Sequence, residues 1–232
     1  MISGLNTNAQ LYQMPYAVLD FETTGLGTDA RVVSAAVVVG KLGENKPTVA
    51  FNERFNPGCP IPEEATAIHG ICDADVADCP SFADRIPALL ETISDRILCV
   101  YNLPYDWGML NAELKLAGHE IIPWSGVGMC VLVLARYVDA GERGKGVHKL
   151  ESVAKRRGIE FSAHDARADA LATASLLNPL LRSAVSKRGE KFSTCRDYWA
   201  WQRCEAIGQE MNLRRYLQTK GIERDEWPWM DY

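Results

Sequence analysis

A short apolar run, Pro15 to Asp20, closes on Asp20-Phe21-Glu22-Thr23-Thr24-Gly25, so that two carboxylates straddle one phenylalanine. On a β-strand, side chains at i and i+2 point the same way and stand roughly 6.6 Å apart along it. From that span both acids reach a pair of divalent ions about 4 Å apart. The chain is therefore expected to place an acidic pair on one face of a strand, with Thr23-Thr24-Gly25 closing it.

Two further apolar stretches follow, Arg31 to Gly40 and the alternating Thr48 to Phe55, with Gly25-Leu26-Gly27 and Gly43-Glu44-Asn45 as turn material. They read as an antiparallel meander of three strands. Prolines and acids from Pro57 to Pro80 suggest short helical turns. Ser81 then stands at an N-cap before the helical stripe Phe82, Ile86, Leu89, Leu90, Ile93. Ile97 to Tyr101 reads as a buried strand, and Trp107, Leu110, Leu114, Ala117 and the stop at Gly118 as a helix. Met129 to Val138 and His148 to Arg157 are shorter helical candidates around a glycine-bearing link, Gly141, Gly144 and Gly146. Ala170, Ala174, Leu177 and Leu181 mark a long helix from near Ala166. Beyond about Ser186 the composition turns basic and aromatic, read as two helices, 193 to 207 and 209 to 219, and an irregular end at Pro228. Strands first and then strand–helix alternation give a layered α/β domain. The expected division is a tail over 1–14, a main domain over 15–186 and a basic, aromatic-rich helical extension over 187–232.

No apolar stretch approaches the roughly 20 residues of a membrane helix, and the first fifteen residues lack a secretory pattern, so a cytoplasmic location is expected. Seven cysteines without any C-x-x-C pair read as reduced, mostly buried thiols, with neither disulfide nor structural zinc. The net charge of −5 is unevenly spread: residues 53–95 hold nine acidic and two basic side chains, 141–157 two acidic and six basic, 182–224 five acidic and ten basic. That asymmetry allows a basic face beside an acidic pocket, though solvated helix faces would look the same.

Two carboxylates rarely hold two cations, so partners are needed. Asp106 opens a helix after the strand ending in Tyr101-Asn102, and taken alone reads first as a first-turn carboxylate facing the helix dipole. Asp169, five residues after His164, alone reads as a solvent-facing helix residue. His164 precedes the helix that bears Asp169, and an imidazole with an ordinary pKa near 6.5 is neutral often enough at pH 7 to accept a proton from an attacking water.

Taken in order, Asp20-Phe21-Glu22-Thr23-Thr24-Gly25, Asn102-Leu103-Pro104-Tyr105-Asp106 and His164-x4-Asp169 resemble the three exonuclease motifs of the DEDD superfamily. The histidine makes the chain similar to the DEDDh branch, which includes the proofreading subunits of bacterial replicative polymerases. The resemblance covers about residues 15 to 182, with Ala67-Ile68-His69-Gly70-Ile71, Leu134-Ala135-Arg136 and His148-Lys149-Leu150 as supporting matches. It implies a ribonuclease-H-like fold, a mixed five-stranded sheet flanked by helices, and two Mg²⁺ or Mn²⁺ ions. It also implies 3′-to-5′ release of 5′-mononucleotides from a nucleic-acid end, DNA ahead of RNA. Asp20, Glu22, Asp106 and Asp169 would then be metal ligands and His164 the general base. Thr23, Leu26, His69 and Asn102 would meet the terminal nucleotide. The expected partner is the 3′ end of single-stranded DNA or RNA, with a DNA polymerase as a further candidate and no membrane. Two departures stand out: Tyr101-Asn102 replaces the usual His-Asn, and Cys130-Val131 replaces an Asp-Thr pair. The alternatives are an exoribonuclease, a non-catalytic binding module of the same fold, and an endonuclease of ribonuclease H or integrase type. The aromatic extension would stack on bases in a strand-tracking groove, pack Trp199, Trp201 and Trp227 against the main domain, or dock a polymerase.

Overall fold

The structure, a computed structural model, describes residues 8–27, 29–122 and 128–223; Trp227 and Pro228 lie outside them. Three strands come first, β1 (Pro15–Thr23), β2 (Val32–Lys41) and β3 (Thr48–Arg54), then helices α1 (Glu63–His69), α2 (Asp73–Val76) and α3 (Phe82–Ile93). Strand β4 (Ile97–Val100), helix α4 (Leu103–Leu116), strand β5 (Gly128–Cys130) and helices α5 (Val131–Val138), α6 (Leu150–Lys155), α7 (Ala166–Arg188) and α8 (Cys195–Gln218) complete the chain. The sheet order is β3-β2-β1-β4-β5. Strands β1 to β3 are antiparallel, and β4 and β5 run parallel to β1.

Period-2 alternation sorts β1 into two cores. Tyr16 and Val18 pack with α7, α5 and the start of α8, whereas Ala17, Leu19 and Phe21 pack with α3 and α4. Each fully buried Leu or Val contributes about 1.5–3 kcal/mol relative to exposure, and a slip of one residue would exchange the two faces. That sets the register and fixes which way Asp20 and Glu22 point. Before β1, Leu11 is fully buried, and Gln10 bridges to Thr194 ahead of α8, so residues 8–14 of the segment read as a tail join the α7-side core.

Two elements differ from the expectation. Met129 and Cys130, read as the start of a helix, form β5 instead. A three-residue strand is too short to display alternation, and its conformation is set by partners distant in sequence. Gly128 fits because a Cβ there would stand 2.5 Å from Leu103 Cδ2. On the other side of β5, buried Gln202 of α8 accepts from the Cys130 amide at 2.7 Å and donates to the Gly128 carbonyl at 2.9 Å, as a neighbouring strand would. Secondly, α8 is one helix of 24 residues that runs through Gly208, where no atom would meet a Cβ. A helical glycine costs about 1 kcal/mol, and burial of Tyr198, Gln202 and Ala206 on its inner face outweighs it. Gln202→Ala should leave a buried N–H and C=O unsatisfied at about 1–3 kcal/mol each; urea unfolding should show a loss of at least about 2 kcal/mol.

Tyr198, Trp199 and Trp201 in the first two turns of α8 face the main domain, whereas Tyr216 near its end is exposed. Trp201 meets Tyr137 and Phe192 with ring centroids 5.0 Å apart in each case, and Tyr198 is fully buried. Packing against the main domain occupies Tyr198, Trp199 and Trp201. All seven cysteines are free thiols, but Cys59, Cys72 and Cys204 are exposed and Cys79 half-buried, so the mostly buried pattern holds only for Cys99, Cys130 and Cys195. Among the described residues no helix is long and apolar enough to cross a membrane.

Candidate active site

Pairing of β1 with β4 ends at Val18 opposite Cys99, so Asp20 and Glu22 project past the end of β4 while remaining paired to β2. The register shifts between Glu22 and Thr23, a bulge that ends the regular ladder just after the second acid. The sheet order reverses at β1, and in open α/β sheets ligands bind beyond the carboxyl ends of strands at such a point. Alternation puts both acids on the α7 side. There the N-cap Asp165 accepts from the Ala168 amide at 2.8 Å, and this cap sets Asp169 in the first turn of α7. Carboxylate oxygens of Asp20, Glu22 and Asp169 all lie within 4.8 Å of one another. Asp106, buried in the first turn of α4, falls outside that tight trio but close enough to act strongly on Asp20.

The electrostatics of these four groups run one way. Burial, then repulsion from Asp106, Asp169 and Glu22, holds the Asp20 carboxyl well above the usual carboxylate range. Burial with Asp169 and Asp165 nearby pushes Glu22 to about 8. Asp106 rises to about 8, chiefly by burial, against the opposing pull of its own amide and that of Phe21. Asp169 rises to about 7, again by burial first, with the His164 amide pulling down and Glu151 and Asp165 pushing up. No lysine or arginine among the described residues figures in these shifts. Asp169 Oδ2 accepts from the His164 amide at 3.2 Å, while its Oδ1 is buried without a hydrogen-bond donor among the described residues. Converging hard oxygens, one of them unpartnered, fit a divalent cation.

His164 is exposed and holds a left-handed φ of 65°. Its Nε2 stands 3.4 Å from Glu151 Oε1, so the imidazole is turned to Glu151 while its backbone holds Asp169. Sequence reasoning passed over Glu151, although it directly follows His148-Lys149-Leu150. It also passed over Tyr105, whose hydroxyl donates to the Gly25 carbonyl at 3.0 Å and lies 2.9 Å from Thr23 Oγ1. Thr23 in turn donates to Gly25 at 2.7 Å, so its hydroxyl serves the turn. Leu26, at the tip of that turn, is 87% exposed.

His69, the last residue of α1, accepts from the Ile71 amide through Nδ1 at 3.1 Å, and burial keeps its imidazole below the ordinary range while the Thr23 carbonyl pulls the other way. With Glu22 and His164 it lines a cleft of about 150 Å³. A larger cleft of about 550 Å³ is lined by Asp169 and His164, and by Asn102, the N-cap of α4. Tyr101, where the resembling family has histidine, donates its hydroxyl to the His148 carbonyl at 2.6 Å and so tethers the wall of that cleft. The amide of Cys130 is taken by Gln202, and its thiol lies 3.6 Å from the Tyr101 carbonyl, a packing role.

The family model described as exonuclease matches residues 17–177 of this chain. An uncharacterized exonuclease, CP81 of Escherichia phage 186, is 31% identical over 182 residues, covering 72% of this chain and 89% of that protein. The DNA polymerase III subunit epsilon of Rickettsia conorii is 33% identical over 172 residues, 71% of this chain and 72% of that one. Other curated relatives are far longer, and the chain spans 25% of one and 12% of another. Among solved structures, Exonuclease X in complex with 5′ overhanging duplex DNA superposes with a TM-score of 0.55 at 24% identity, covering 73% of this chain and 92% of that one. The likeness is one of fold: the mixed sheet with flanking helices is ribonuclease-H-like.

Proposed function

The chain belongs to the exonuclease family, and we propose that its acid cluster serves metal-dependent removal of 5′-mononucleotides from the 3′ end of a nucleic acid. The observation that carries this reading is the convergence of Asp20, Glu22 and Asp169 within 4.8 Å, with Asp106 near enough to repel the Asp20 carboxylate. Asp20, Glu22, Asp106 and Asp169 would hold two divalent ions, Mg²⁺ or Mn²⁺. Such ions, when bound, would supply the positive charge that a cleaving phosphodiester needs and make the attacking water more acidic.

The side chains divide the remaining work. The four carboxylates, raised chiefly by burial, would give up their protons to hold the cations. His164, on an exposed turn beside Asp169, takes the proton of the attacking water as general base. Thr23 and Tyr105 fix the turn that carries Leu26, and Leu26, His69 and Asn102 meet the last nucleotide.

DNA is placed ahead of RNA, which the polymerase III relative and the DNA-bound structural neighbour support. Matched 5′-labelled single-stranded DNA and RNA, incubated with Mg²⁺, Mn²⁺ or EDTA, test the reading. A ladder shortening from the 3′ end, 5′-mononucleotide products, faster turnover of DNA and silence in EDTA are expected. Cutting of a closed circle, or an inert protein with either metal, would overturn it.

A further inference from the structure

Among the described residues two clefts adjoin the acid cluster, and their sizes differ. The one of about 150 Å³ lies below the roughly 300–1,000 Å³ of ordinary ligand sites, while the one of about 550 Å³ lies within it. The larger cleft runs from Asp169 and His164 to Arg136 of α5 and Lys149 ahead of α6, past Gly144 and Gly146.

A count of basic side chains points to the same place. Of the six in 141–157, Arg156 and Arg157 both bind Asp139 at 2.8 Å, and Arg143 donates to the Ala140 and Glu142 carbonyls. Lys149 is the one of the six that lines the cleft; its aliphatic stem lies over Gly146 and its ammonium has no carboxylate partner among the described residues. Arg136, exposed on α5, likewise meets no acid there. In α8, Tyr198 and Trp201 are turned into the core.

Resting on the nuclease reading above, we infer that the larger cleft is the exit track of the substrate strand, and that Arg136 and Lys149 bind backbone phosphates upstream of the terminal nucleotide. The guanidinium and ammonium grip phosphate whatever the base, so the contacts set affinity and salt dependence and leave sequence preference alone.

The test compares a single-stranded (dT)10 with the p-nitrophenyl ester of thymidine 5′-monophosphate, which has no upstream phosphate. In the full-length chain, Arg136→Ala and Lys149→Ala should each lower the ratio of kcat/KM on the ten-mer to that on the ester by roughly fivefold to tenfold. The slope of log kcat/KM on the ten-mer against log salt should become shallower by about 0.7 per variant. Arg136→Lys should restore most of the slope, and Arg203→Ala, an exposed cation of α8, should keep the wild-type ratio. An unchanged ratio and slope in both alanine variants, or a shift produced by Arg203→Ala instead, would overturn the track while leaving the nuclease reading intact. A wild-type chain inert on both substrates overturns that reading and the track together.

Discussion

Asp20→Asn should lower exonuclease activity by about 100-fold or more while making the metal-free protein more stable at pH 8. Even outer partners of a metal ligand cost 10- to 100-fold when removed, and Asp20 is the acid on which all the others act. The stability effect follows from the raised carboxyls. A group with a folded-state pKa above its unfolded value binds its proton more tightly in the folded chain, so its stabilisation is complete below the ordinary range near 4. It is lost as pH rises through the folded value, here about 7 for Asp169 and about 8 for Glu22 and Asp106. The melting temperature of metal-free wild-type protein should therefore fall between pH 4.5 and 8, and Mn²⁺ should recover it at pH 8 but scarcely at pH 5. Asp20→Asn removes one charge from the centre of the repulsion and should raise the pH 8 melting temperature by on the order of 5 °C. Calorimetry across that range checks both the slope and its flattening; a variant that melts below wild type at pH 8 contradicts the account.

His164→Ala should reduce kcat by about 10²- to 10⁴-fold, the usual contribution of a general base, with Mn²⁺ affinity and melting temperature close to wild type. The side chain is exposed and its contact with Glu151, 3.4 Å between half-exposed groups, contributes little to stability. The left-handed φ of 65° is tolerated better by asparagine than by alanine, so His164→Asn separates the loss of the imidazole from a shift of the turn that holds Asp169. Equal losses in the two variants place the effect on the imidazole. Full activity in both removes His164 from the reaction.

The parts of this site written in local pattern were readable from residues alone. Asp20 and Glu22 share a face because a strand alternates, and the stripe Ala170, Ala174, Leu177, Leu181 is buried as its spacing requires. Asp106 and Asp169 carry no such local mark: each sits in the first turn of a helix, where an acid is expected anyway, and the order of the motifs singled them out. Features made by long-range contact left no trace. Strand β5 exists through β4 on one side and Gln202, 72 residues away, on the other. Gly208 looked like a break because intrinsic propensity ignores the buried face of α8. Glu151 and Tyr105 act through partners far along the chain, Tyr105 on Gly25 at a separation of 80 residues.

The most direct test is a calorimetric titration of Mn²⁺ into the metal-free chain at pH 7.5, run in two buffers of different ionisation enthalpy. About two ions should bind per chain, and the heat should depend on the buffer because carboxyls that still hold protons at that pH must release them; Asp20→Asn and Asp169→Asn should each weaken the binding. Absence of saturable binding, or binding that neither substitution alters, would contradict a metal centre built from these acids.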